Sequence, residues 1–443
     1  MDSDMVTDLL TVKSQGGKLP HGWRTGQLDE LVDLNPEQLT SEYPLTRIAY
    51  LDISNVSKGQ VKETVEMPLS EAPSRAKRIV RAGDTLLSTV RPGNRAYAYF
   101  RSPPDNLVCS TGFAVLRARR ESTDGRFAYY LASSDPIIEH LATIAEKQTA
   151  YPSVNPCDIG ECLVPIPPLP EQRAIARVLG SLDDKIDLNR RMNQTLEEIC
   201  RALFKFWFVD FGPVRAKAEG RWKKGESLPG MPADMWDLWP SEFEESEIGE
   251  IPKGWRTEPL SETARFLNGI ACQRYPAEDG FGIPVLKIAE LRRGNTLGAD
   301  RASPSLPSDY LVQDGDLIFS WSGSLEVKFW YGGQAVLNQH LFKVTSKRFP
   351  LWLCFHWILG HLESFRRIAA GKATTMGHIQ RHHLDDALAV VPPRDLVAVC
   401  DRTIGHFLSE VKVGEEQSGT LAKLRDALLP KLLSGEIRVK VDA

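Results

Sequence analysis

The sequence predicts an α+β protein in which two similar domains are separated by two long, antiparallel coiled-coil helices. Three observations predict this fold class: a tandem repeat, the same order of β-rich runs in each copy, and a long helical pattern after each copy. A chain of 443 residues is large enough for two or three domains with hydrophobic cores of their own.

The tandem repeat is visible as matched segments at a shared spacing. LPHGWRT at Leu19–Thr25 returns as IPKGWRT at Ile251–Thr257, and Gly83–Gly93 returns as Gly315–Leu325, both 232 positions later (251 − 19 and 315 − 83). Two matches at one offset indicate a duplication. Later matches are displaced by 225 positions (372 − 147 and 393 − 168) and pair Lys147–Val154 with Lys372–Ile379 and Val164–Pro168 with Val390–Pro393.

Each copy repeats one order of elements. Short runs rich in β-branched and aromatic residues come first, a helical stretch follows, and a proline-rich strand leads into a long helix. The predicted strands are Ile48–Ile53, Thr85–Val90, Phe113–Arg117 and Cys162–Pro168 in the first copy and Val285–Ile288, Leu317–Trp321, Leu341–Val344 and Ala387–Pro393 in the second, and the helical stretches are Phe127–Ile144 and Leu353–Ile368.

The first long helix is predicted over Leu169–Phe211, a length of about 60 Å at 1.5 Å per residue. Pro170 suits its first turn, and Gly212 with Pro213 ends it. Asn189 and Asn193 either fix the register between two helices or lie on a face that grips a partner protein. The seam repeats with a period near 3.5, typical of a coiled coil, and contains Ile175, Leu179, Leu182, Ile186, Asn189, Asn193, Leu196 and Leu203.

The second long helix has a less regular pattern. An apolar line from Leu396 to Val411 is interrupted at Gly414–Gln417 and resumes from Leu421 to Leu432. Pro430 is expected to kink or restart the final turn. Antiparallel pairing of the two helices would hold the two domains at opposite ends of a bar. The pattern therefore predicts two domains at a fixed separation.

A linker joins the first helix to the second copy. Its aromatic residues Trp222, Trp236, Trp239 and Phe243 predict a loop that docks on the long helix, and the alternative is a solvated tether. The predicted division of the chain is an N-terminal segment (1–20), a first domain (21–168), a first spacer helix (169–211), the linker (212–250), a second domain (251–393), and a second spacer helix with the C-terminal tail (394–443).

The charge distribution points to DNA, although the net charge is −4. Residues 72–120 contain ten basic and two acidic side chains, and residues 321–383 contain eight basic and two acidic ones. Two basic domains at a fixed separation are suited to two DNA half-sites, which lie about 34 to 36 Å apart for one helical turn.

Base edges are read by bidentate and hydroxyl-bearing side chains on loops. These loop positions differ between the two copies while the surrounding frame is kept, as expected if each copy reads its own sequence. The candidate DNA-binding residues are Arg75, Lys77, Arg78, Arg91, Asn94, Arg95, Lys147, Gln148, Tyr151, Ser153 and Asn155 in the first copy and Ser322, Ser324, Lys328, Asn338, Gln339, His340, Lys372, Thr374, Thr375, His378, Gln380 and Arg381 in the second.

Catalytic motifs are weak in this sequence. His378 and His382 have the spacing of a zinc pair but lack the Glu of HExxH, Asn155–Asp158 lacks the aromatic residue of an adenine methyltransferase motif, and no phosphate-binding GK(S/T) occurs. We therefore predict a protein without catalytic residues, cofactor or metal of its own. Seven scattered cysteines without a CxxC, no apolar run of membrane length and no basic signal-like start predict a cytoplasmic protein.

Several motifs together resemble one known family, the specificity subunit of Type I restriction-modification systems. The resemblance covers nearly the whole chain, and its most specific element is the LPEQR helix start. The motifs are PPLPEQRAIARVLGSLDDKI at Pro167–Ile186, LFKFWFVDF at Leu203–Phe211, the two Gly-Trp openings, and LLPKLLSGEI at Leu428–Ile437.

The resemblance implies that each domain is a target-recognition domain for one half of a split DNA sequence. It also implies docking on Glu171–Phe208 and Arg394–Leu433 of two modification subunits, which use S-adenosylmethionine to methylate adenine, and assembly with restriction subunits that use ATP and Mg²⁺. Val391–Leu396 lacks the LPEQR of the first copy, so the carry-over is weaker for the second helix. The alternatives are a self-contained DNA methyltransferase or nuclease and a scaffold that binds only proteins.

Overall fold

A computed structural model describes residues 19–40, 42–147, 152–228, 230–277, 281–371 and 377–440. The chain divides into two compact units. One unit contains the described residues up to Lys185 together with those from Leu421 onward, and the other contains Ile186–Thr420. Each unit therefore holds one copy of the repeat and one part of each long helix.

The first copy forms two four-stranded sheets, ordered β6-β3-β10-β7 and β2-β11-β8-β9, while β1 pairs with β12 and β4 with β5. Phe113 and Phe127 are buried between strands and helices. The elements are β1 (Arg24–Gln27), β2 (Val32–Leu34), β3 (Arg47–Leu51), β4 (Val56–Ser57), β5 (Gln60–Val61), β6 (Val65–Pro68), β7 (Ala76–Ile79), β8 (Asp84–Ser88), β9 (Tyr97–Tyr99), β10 (Leu107–Ser110), β11 (Phe113–Ala118), α1 (Gly125–Ala132), α2 (Asp135–Glu146), α3 (Pro156–Gly160) and β12 (Leu163–Ile166).

The second copy follows the first long helix and the linker and repeats the plan with sheets β18-β17-β22-β19 and β16-β23-β20-β21, while β15 pairs with β24. The elements are α4 (Leu169–Phe204), a π-helical turn (Lys205–Val209), α5 (Gly212–Ala218), β13 (Phe243–Ser246), β14 (Gly249–Pro252), β15 (Arg256–Pro259), α6 (Leu260–Thr263), β16 (Arg265–Asn268), β17 (Ile283–Leu286), α7 (Ile288–Arg293), β18 (Arg301–Ala302), β19 (Leu311–Val312), β20 (Leu317–Ser320), β21 (Val327–Phe329), β22 (Ala335–Leu337), β23 (Leu341–Thr345), α8 (Leu351–Gly371), α9 (His382–Asp385), β24 (Leu388–Val391) and α10 (Arg394–Leu433).

Strand pairing reproduces the offsets found in the sequence. Thr25 lies opposite Pro165 in the β1–β12 pair, and Thr257 lies opposite Val390 in the β15–β24 pair. These partners are displaced by 232 and 225 positions (257 − 25 and 390 − 165), as in the matched segments. The duplication predicted from the sequence is therefore confirmed at the level of backbone register.

The repeated Gly-Asp motif has a structural role in both copies. Gly83 and Gly315 adopt φ of +93°, a left-handed conformation that glycine adopts without steric cost. In the next position, Asp84 Oδ2 accepts a hydrogen bond from the backbone N of Arg81 at 2.7 Å, and Asp316 Oδ2 accepts one from that of Gln313 at 2.7 Å. The motif thus closes the turn before β8 and β20.

The long helices run antiparallel within each unit. In the first unit, Arg438 forms an ion pair with Glu171 at 2.7 Å, and Arg425 forms one with Asp183 at 2.8 Å. Residue numbers therefore increase along α4 while the numbers of their partners decrease, as in an antiparallel pair. Glu171 is buried and also accepts a hydrogen bond from the Trp23 indole at 2.9 Å. The antiparallel prediction is therefore confirmed for this part of the pair.

The polar centre of the seam lies in the second unit. Asn189 Nδ2 donates to Gln417 Oε1 at 2.9 Å, and Asn193 Nδ2 donates to Val411 O at 3.2 Å and to Glu415 Oε1 at 2.9 Å. Both asparagines are buried, which supports the register role over a partner-facing role. Of the other seam residues, Ile175, Leu179 and Ile186 are buried, and Leu182, Leu196 and Leu203 are half-buried.

α10 is one helix through Gly414 and Pro430. Gly414, where the apolar line is interrupted, packs against the other helix: a Cβ there would lie 2.4 Å from Asn193 Oδ1. The regular α-helix of α4 ends at Phe204, before the predicted end at Phe211. A π-helical turn follows directly over Lys205–Val209. This turn widens the helix and places both Trp207 and Phe208 in the core.

The linker packs on the end of the first long helix, as predicted from its aromatic residues. Trp222 and Trp239 are buried, and the Trp239 ring lies 6.2 Å from that of Phe208. Lys217 places its Nζ 3.6 Å from the centre of the Trp236 ring and donates to the Trp236 carbonyl at 2.9 Å. Burial lowers the pKa of Lys217.

Candidate nucleic-acid interface

One loop in each copy is held by the same set of hydrogen bonds, from a serine hydroxyl and from the backbone, which we call the loop clamp. Ser88 and Ser320, at the ends of β8 and β20, donate from Oγ to the carbonyls of Val90 at 2.7 Å and Ser322 at 3.1 Å. Each loop is then bridged to the segment before the proline-rich strand, Val90 to Ser153 and Ser322 to His378. The clamp therefore presents equivalent loop positions on both copies.

The residue after the bridge adopts a left-handed backbone in both loops. Arg91 has φ of +44° and donates its N to Pro152 O at 2.9 Å, and Gly323 has φ of +63° and donates its N to Gly377 O at 2.8 Å. Glycine suits this conformation, whereas a non-glycine residue there pays about 1 kcal/mol or more. The first copy thus keeps an exposed arginine at a strained position.

Backbone hydrogen bonds place two first-copy candidates, Arg75 and Arg91, beside the same turn at one edge of the domain. Thr111 N donates to Arg75 O at 2.8 Å, and Thr89 N donates to Gly112 O at 2.8 Å, so the Arg75 strand and the Arg91 loop flank one turn. Arg75 ion-pairs with Asp52 at 2.9 Å. Thr89 and Thr111 were missed from sequence; their hydroxyls carry no motif, and only the adjoining repeated segment pointed to this edge.

Other first-copy candidates have structural partners. Arg95 forms an ion pair with Asp135, and this hydrogen bond raises the pKa of its guanidinium. Arg78 donates to Asn35 Oδ1, and burial lowers its pKa. Asn155 donates its backbone N to Asp158 Oδ2 at 2.7 Å at the start of α3. Lys77, Asn94 and Lys147 are exposed, and Gln148 and Tyr151 lie outside the described residues.

The second copy gathers an aromatic and imidazole cluster on the equivalent loops. Ser322 Oγ shares a hydrogen bond with His340 Nδ1 at 3.0 Å, and the buried Asn338 accepts from the His340 N at 3.3 Å. The Trp321 ring lies 5.8 Å from that of His340 and 6.1 Å from that of His378. Four of the predicted residues therefore lie at one place, and Gln339 is their neighbour in the chain. The four are Ser322, Asn338, His340 and His378.

Two residues of this second-copy cluster were missed. Trp321 is half-buried and donates its Nε1 to Asn268 Oδ1 at 3.1 Å. The sequence placed Trp321 at the end of a predicted strand, and Asn268 stands far away along the chain with no motif. A tryptophan where the first copy has Thr89, at the 232 offset (321 − 89), was the available signal.

The remaining second-copy candidates are more dispersed. Ser324 accepts a hydrogen bond on its carbonyl from Ser320 Oγ at 3.0 Å, and Arg381 donates to Phe266 O at 3.0 Å. Lys328 pairs with Glu326 at 3.2 Å and faces a cavity beside α4 rather than the loop cluster. Gln380 donates its N to His383 Nδ1 at 2.8 Å. Lys372, Thr374 and Thr375 lie outside the described residues.

The basic faces are smaller than the residue counts indicated. Four arginines of the first window pair with acids mostly from outside it: Arg81 with Glu37, Arg101 with Asp184, Arg117 with Asp84 and Glu37, and Arg119 with Asp33. Hydrogen bonding to the fully buried Asp84 raises the pKa of Arg117. Pairing across strands cannot be seen in a linear window, so the excess of positive charge was overestimated.

In the described ranges, no group of three or more acidic, histidine or cysteine side chains is placed to hold a metal ion. No helix among the residues that the structure places is long and apolar enough to cross a membrane.

An apolar stripe lies on the outer side of the long helices in the second unit. Leu188, Met192 and Ile199 of α4 are 51%, 43% and 39% exposed, at spacings that align them along one helix face. Val413 of α10 is 53% exposed. Adjacent apolar side chains left in water are typical of a protein-binding surface. We call Leu188, Met192 and Ile199 the apolar stripe.

Residues 20–198 match the family described as "Type I restriction modification DNA specificity domain". The chain is 24% identical to the Type I restriction enzyme HindI specificity subunit of Haemophilus influenzae, over 89% of this chain and 95% of that protein. It is also 24% identical to the MjaIX specificity subunit of Methanocaldococcus jannaschii, over 96% and 95%. The Type I S subunit from M. genitalium shares the fold, with a TM-score of 0.51 at 12% identity over 95% of this chain and 98% of that one.

Two copies of one loop-bearing α+β domain, each joined to a paired long helix, define a duplicated recognition protein. Residues 20–198 match the specificity-domain family, and nearly the whole chain is similar to specificity subunits of Type I restriction-modification systems. The resemblance seen in the sequence motifs is thereby confirmed.

Proposed function

We propose that this chain is a non-catalytic subunit in which each copy reads one half of a bipartite DNA site. The observation that carries this proposal is the loop clamp, which repeats its backbone bonds in both copies while changing the side chains it presents. Arg91 with Ser153 in one loop and Trp321, His340 and His378 in the other offer different contacts to base edges. A conserved frame with divergent contacts suits two different half-sites.

The paired helices would set the gap between the half-sites. The amides of Asn189 and Asn193 donate to Gln417 and Val411 of α10, and these bonds favour the observed register of α4 against α10. A buried asparagine in a coiled-coil seam specifies register at some cost in stability. One register corresponds to one gap length in the DNA.

The partner subunits supply the chemistry in this proposal. Two modification subunits would dock on the long helices, with the apolar stripe as part of their contact, and would bind S-adenosylmethionine and methylate adenine. Restriction subunits would add ATP-driven cleavage with Mg²⁺. The assembly would work in the cytoplasm, where its DNA target lies.

Sequencing that detects methylated adenine tests the proposal in cells that carry this chain and its modification partner. We expect a split motif with one gap, which disappears when the chain is deleted. Arg91→Ala should relax or abolish recognition of one half only, and His340→Ala of the other half only. Equal loss at both halves from either substitution, or no split motif despite a stable complex, would overturn two-site reading.

A further inference from the structure

A cavity of about 340 Å³ lies in the second unit, outside the recognition loops. Its lining includes Cys200 of α4, Phe355 of α8 and Leu408 of α10. It therefore opens where the helix pair meets the second copy. Pockets that hold small organic molecules begin at about 300 Å³ and combine apolar walls with a few polar groups.

The first unit fills the corresponding place with its own side chains. Tyr130 Oη donates to Asp183 Oδ2 at 2.5 Å, and Arg425 Nη1 meets Asp183 Oδ1 at 2.8 Å. These three residues connect α1, α4 and α10 at the joint, by which we mean the place where the helix pair packs against the first copy. The alkylguanidinium side chain of Arg425 occupies the space there that corresponds to the cavity.

The duplication maps this trio onto the cavity. At the 225 offset, Tyr130 corresponds to Phe355 (355 − 130), Asp183 to Leu408 (408 − 183) and Arg425 to Cys200 (425 − 200). All three counterparts line the cavity. The second copy has thus lost the hydroxyl, the carboxylate and the guanidinium at this joint, and the space that they fill in the first unit is open.

The cavity has gained a hydrogen-bond acceptor where the first copy has an apolar residue. His356, which lines it, stands at the position of Leu131 (356 − 131 = 225). Its Nδ1 lies 2.7 Å from the Trp352 carbonyl, which can only accept, so Nδ1 carries the proton and Nε2 is an acceptor. Burial lowers the pKa of His356 to about 4, so the ring is neutral at pH 7.

Two carboxylates also line the cavity, those of Glu197 and Glu415. Burial first, and then the charge of both carboxylates, raises the pKa of Tyr331 on the same wall. Arg201 and Lys328 also line the cavity, and Lys328 pairs with Glu326, which lies outside the lining, at 3.2 Å. The lining therefore offers two carboxylates and one imidazole as hydrogen-bond acceptors, beside two cations.

We propose that this cavity binds a small alkylguanidinium, with the apolar stem against Leu408 and Phe355 and the head among Glu197, Glu415 and His356. A guanidinium has five N–H donors and no acceptor, which complements two carboxylates and an imidazole acceptor. The ligand would restore at the second joint the type of group that Arg425 supplies at the first. The proposal does not depend on DNA recognition.

Titration calorimetry of the full chain with butylguanidinium tests the site, with butylurea as a neutral compound of similar shape. We expect one butylguanidinium per chain and binding of butylurea weaker by about fivefold or more, because it lacks the charge. Glu197→Gln should weaken butylguanidinium binding about fivefold, whereas Glu198→Gln, its neighbour outside the lining, should leave it unchanged.

Cys200→Trp should abolish binding by filling the cavity, with circular dichroism to check that the variant folds. If that variant fails to fold, the Glu197→Gln and Glu198→Gln pair decides. No binding at millimolar butylguanidinium, equal affinity for butylurea, or unchanged affinity in Glu197→Gln would overturn the proposal.

Discussion

Asp84 shows how single residues in this chain divide between structure and recognition. Its carboxylate is fully buried, closes the turn before β8 and meets the Arg117 Nε at 2.8 Å. The sequence repeats this aspartate as Asp316, which pairs with Lys343 at 2.7 Å. The most visible repeated motif therefore stabilises the frame, and the residues that we predict to contact DNA lie in the variable positions after it.

Asp84→Asn should lower the free energy of unfolding of the first unit by about 3 kcal/mol, because Arg117 loses its buried counter-charge and keeps only the partly exposed Glu37. Urea denaturation followed by circular dichroism measures the change. Asp33→Asn is the matched control: its pair with Arg119 is about half exposed on both sides, so we expect a loss below about 1 kcal/mol. Equal losses would show that burial of Asp84 contributes nothing.

Sequence reasoning located loops that lie at equivalent positions of the two copies, but not the state of each side chain. Arg91 and His340 were chosen for their residue type and loop position, and the clamp places both on the predicted edge. Arg95 looked equivalent to Arg91 in sequence, yet it pairs with Asp135, forty residues away. Such partners come from other strands and helices, and no local pattern reveals them.

At the level of elements, an ion pair joins helix α1 to α4: Arg126 Nη2 lies 2.7 Å from Asp184 Oδ1. Arg101, in the segment after β9, lies 2.8 Å from Asp184 Oδ2. The hydrogen bond from Arg126 lowers the pKa of Asp184 below its ordinary value of 3.8. A depressed carboxyl pKa stabilises the fold above the unfolded pKa and loses that effect as the pH falls through the folded pKa.

Asp184→Asn should therefore reduce stability at pH 7 by about 1 kcal/mol or less, since the pair is partly exposed. The difference from the parent chain should shrink as the pH falls below about 4, where the parent carboxyl also becomes protonated. Thermal melts at pH 7 and at pH 3 measure both values. Asp187→Asn, which loses only a pair along the same helix with Arg190, should show little effect at either pH.

The helix pair was predicted in outline, and its details depend on contacts between helices. In the sequence, Gly414 is part of an interruption of the apolar line, and glycine weakens an isolated helix. In the pair it is the position that lets Asn193 approach the α10 backbone. A pattern along one helix cannot distinguish a weak point from a close contact.

Replacing Asn189 and Asn193 with Leu together should raise the melting temperature and broaden the set of gap lengths in methylated sites. Leucine removes the cost of burying two amides but also removes the preference for one register. Melting curves and methylated-adenine sequencing measure the two effects. Gln194→Leu, at an exposed position of the same helix outside the apolar stripe, should leave both unchanged. A single sharp gap in the double variant would count against the register role.

For the whole molecule, the duplication made the prediction possible. Offsets of 232 and 225 gave the order of elements in the second copy from the first, and strand pairing agrees with both. The joints between helix pair and domain could not be predicted this way, because the copies diverge there. Tyr130, Asp183 and Arg425 fill one joint, while Phe355, Leu408 and Cys200 leave a cavity at the other.

A matched insertion tests whether the helix pair sets the gap. A second copy of Asn189–Thr195 after Thr195, with a second copy of Val411–Gln417 before Val411, lengthens both helices by seven residues and repeats the asparagine contacts. We expect a gap longer by about three base pairs, since seven residues add about 10 Å and each base pair about 3.4 Å. The half-site sequences should stay the same, as methylated-adenine sequencing would show.

Insertion in α4 alone should instead destabilise the pair, because the two seams lose their register. An unaltered gap after the matched insertion would mean that something other than the helix pair determines the spacing.

The uneven distribution of tryptophan makes the two units distinguishable by intrinsic fluorescence. Of the ten tryptophans in the chain, only Trp23 belongs to the first unit, while the nine from Trp207 to Trp357 lie between Ile186 and Thr420. Several of those nine, including Trp222 and Trp239, are fully or almost fully shielded from water. Intrinsic fluorescence during denaturation therefore reports almost entirely on one half of a duplicated protein, and circular dichroism, which sees both halves, would show by its difference how the other half unfolds.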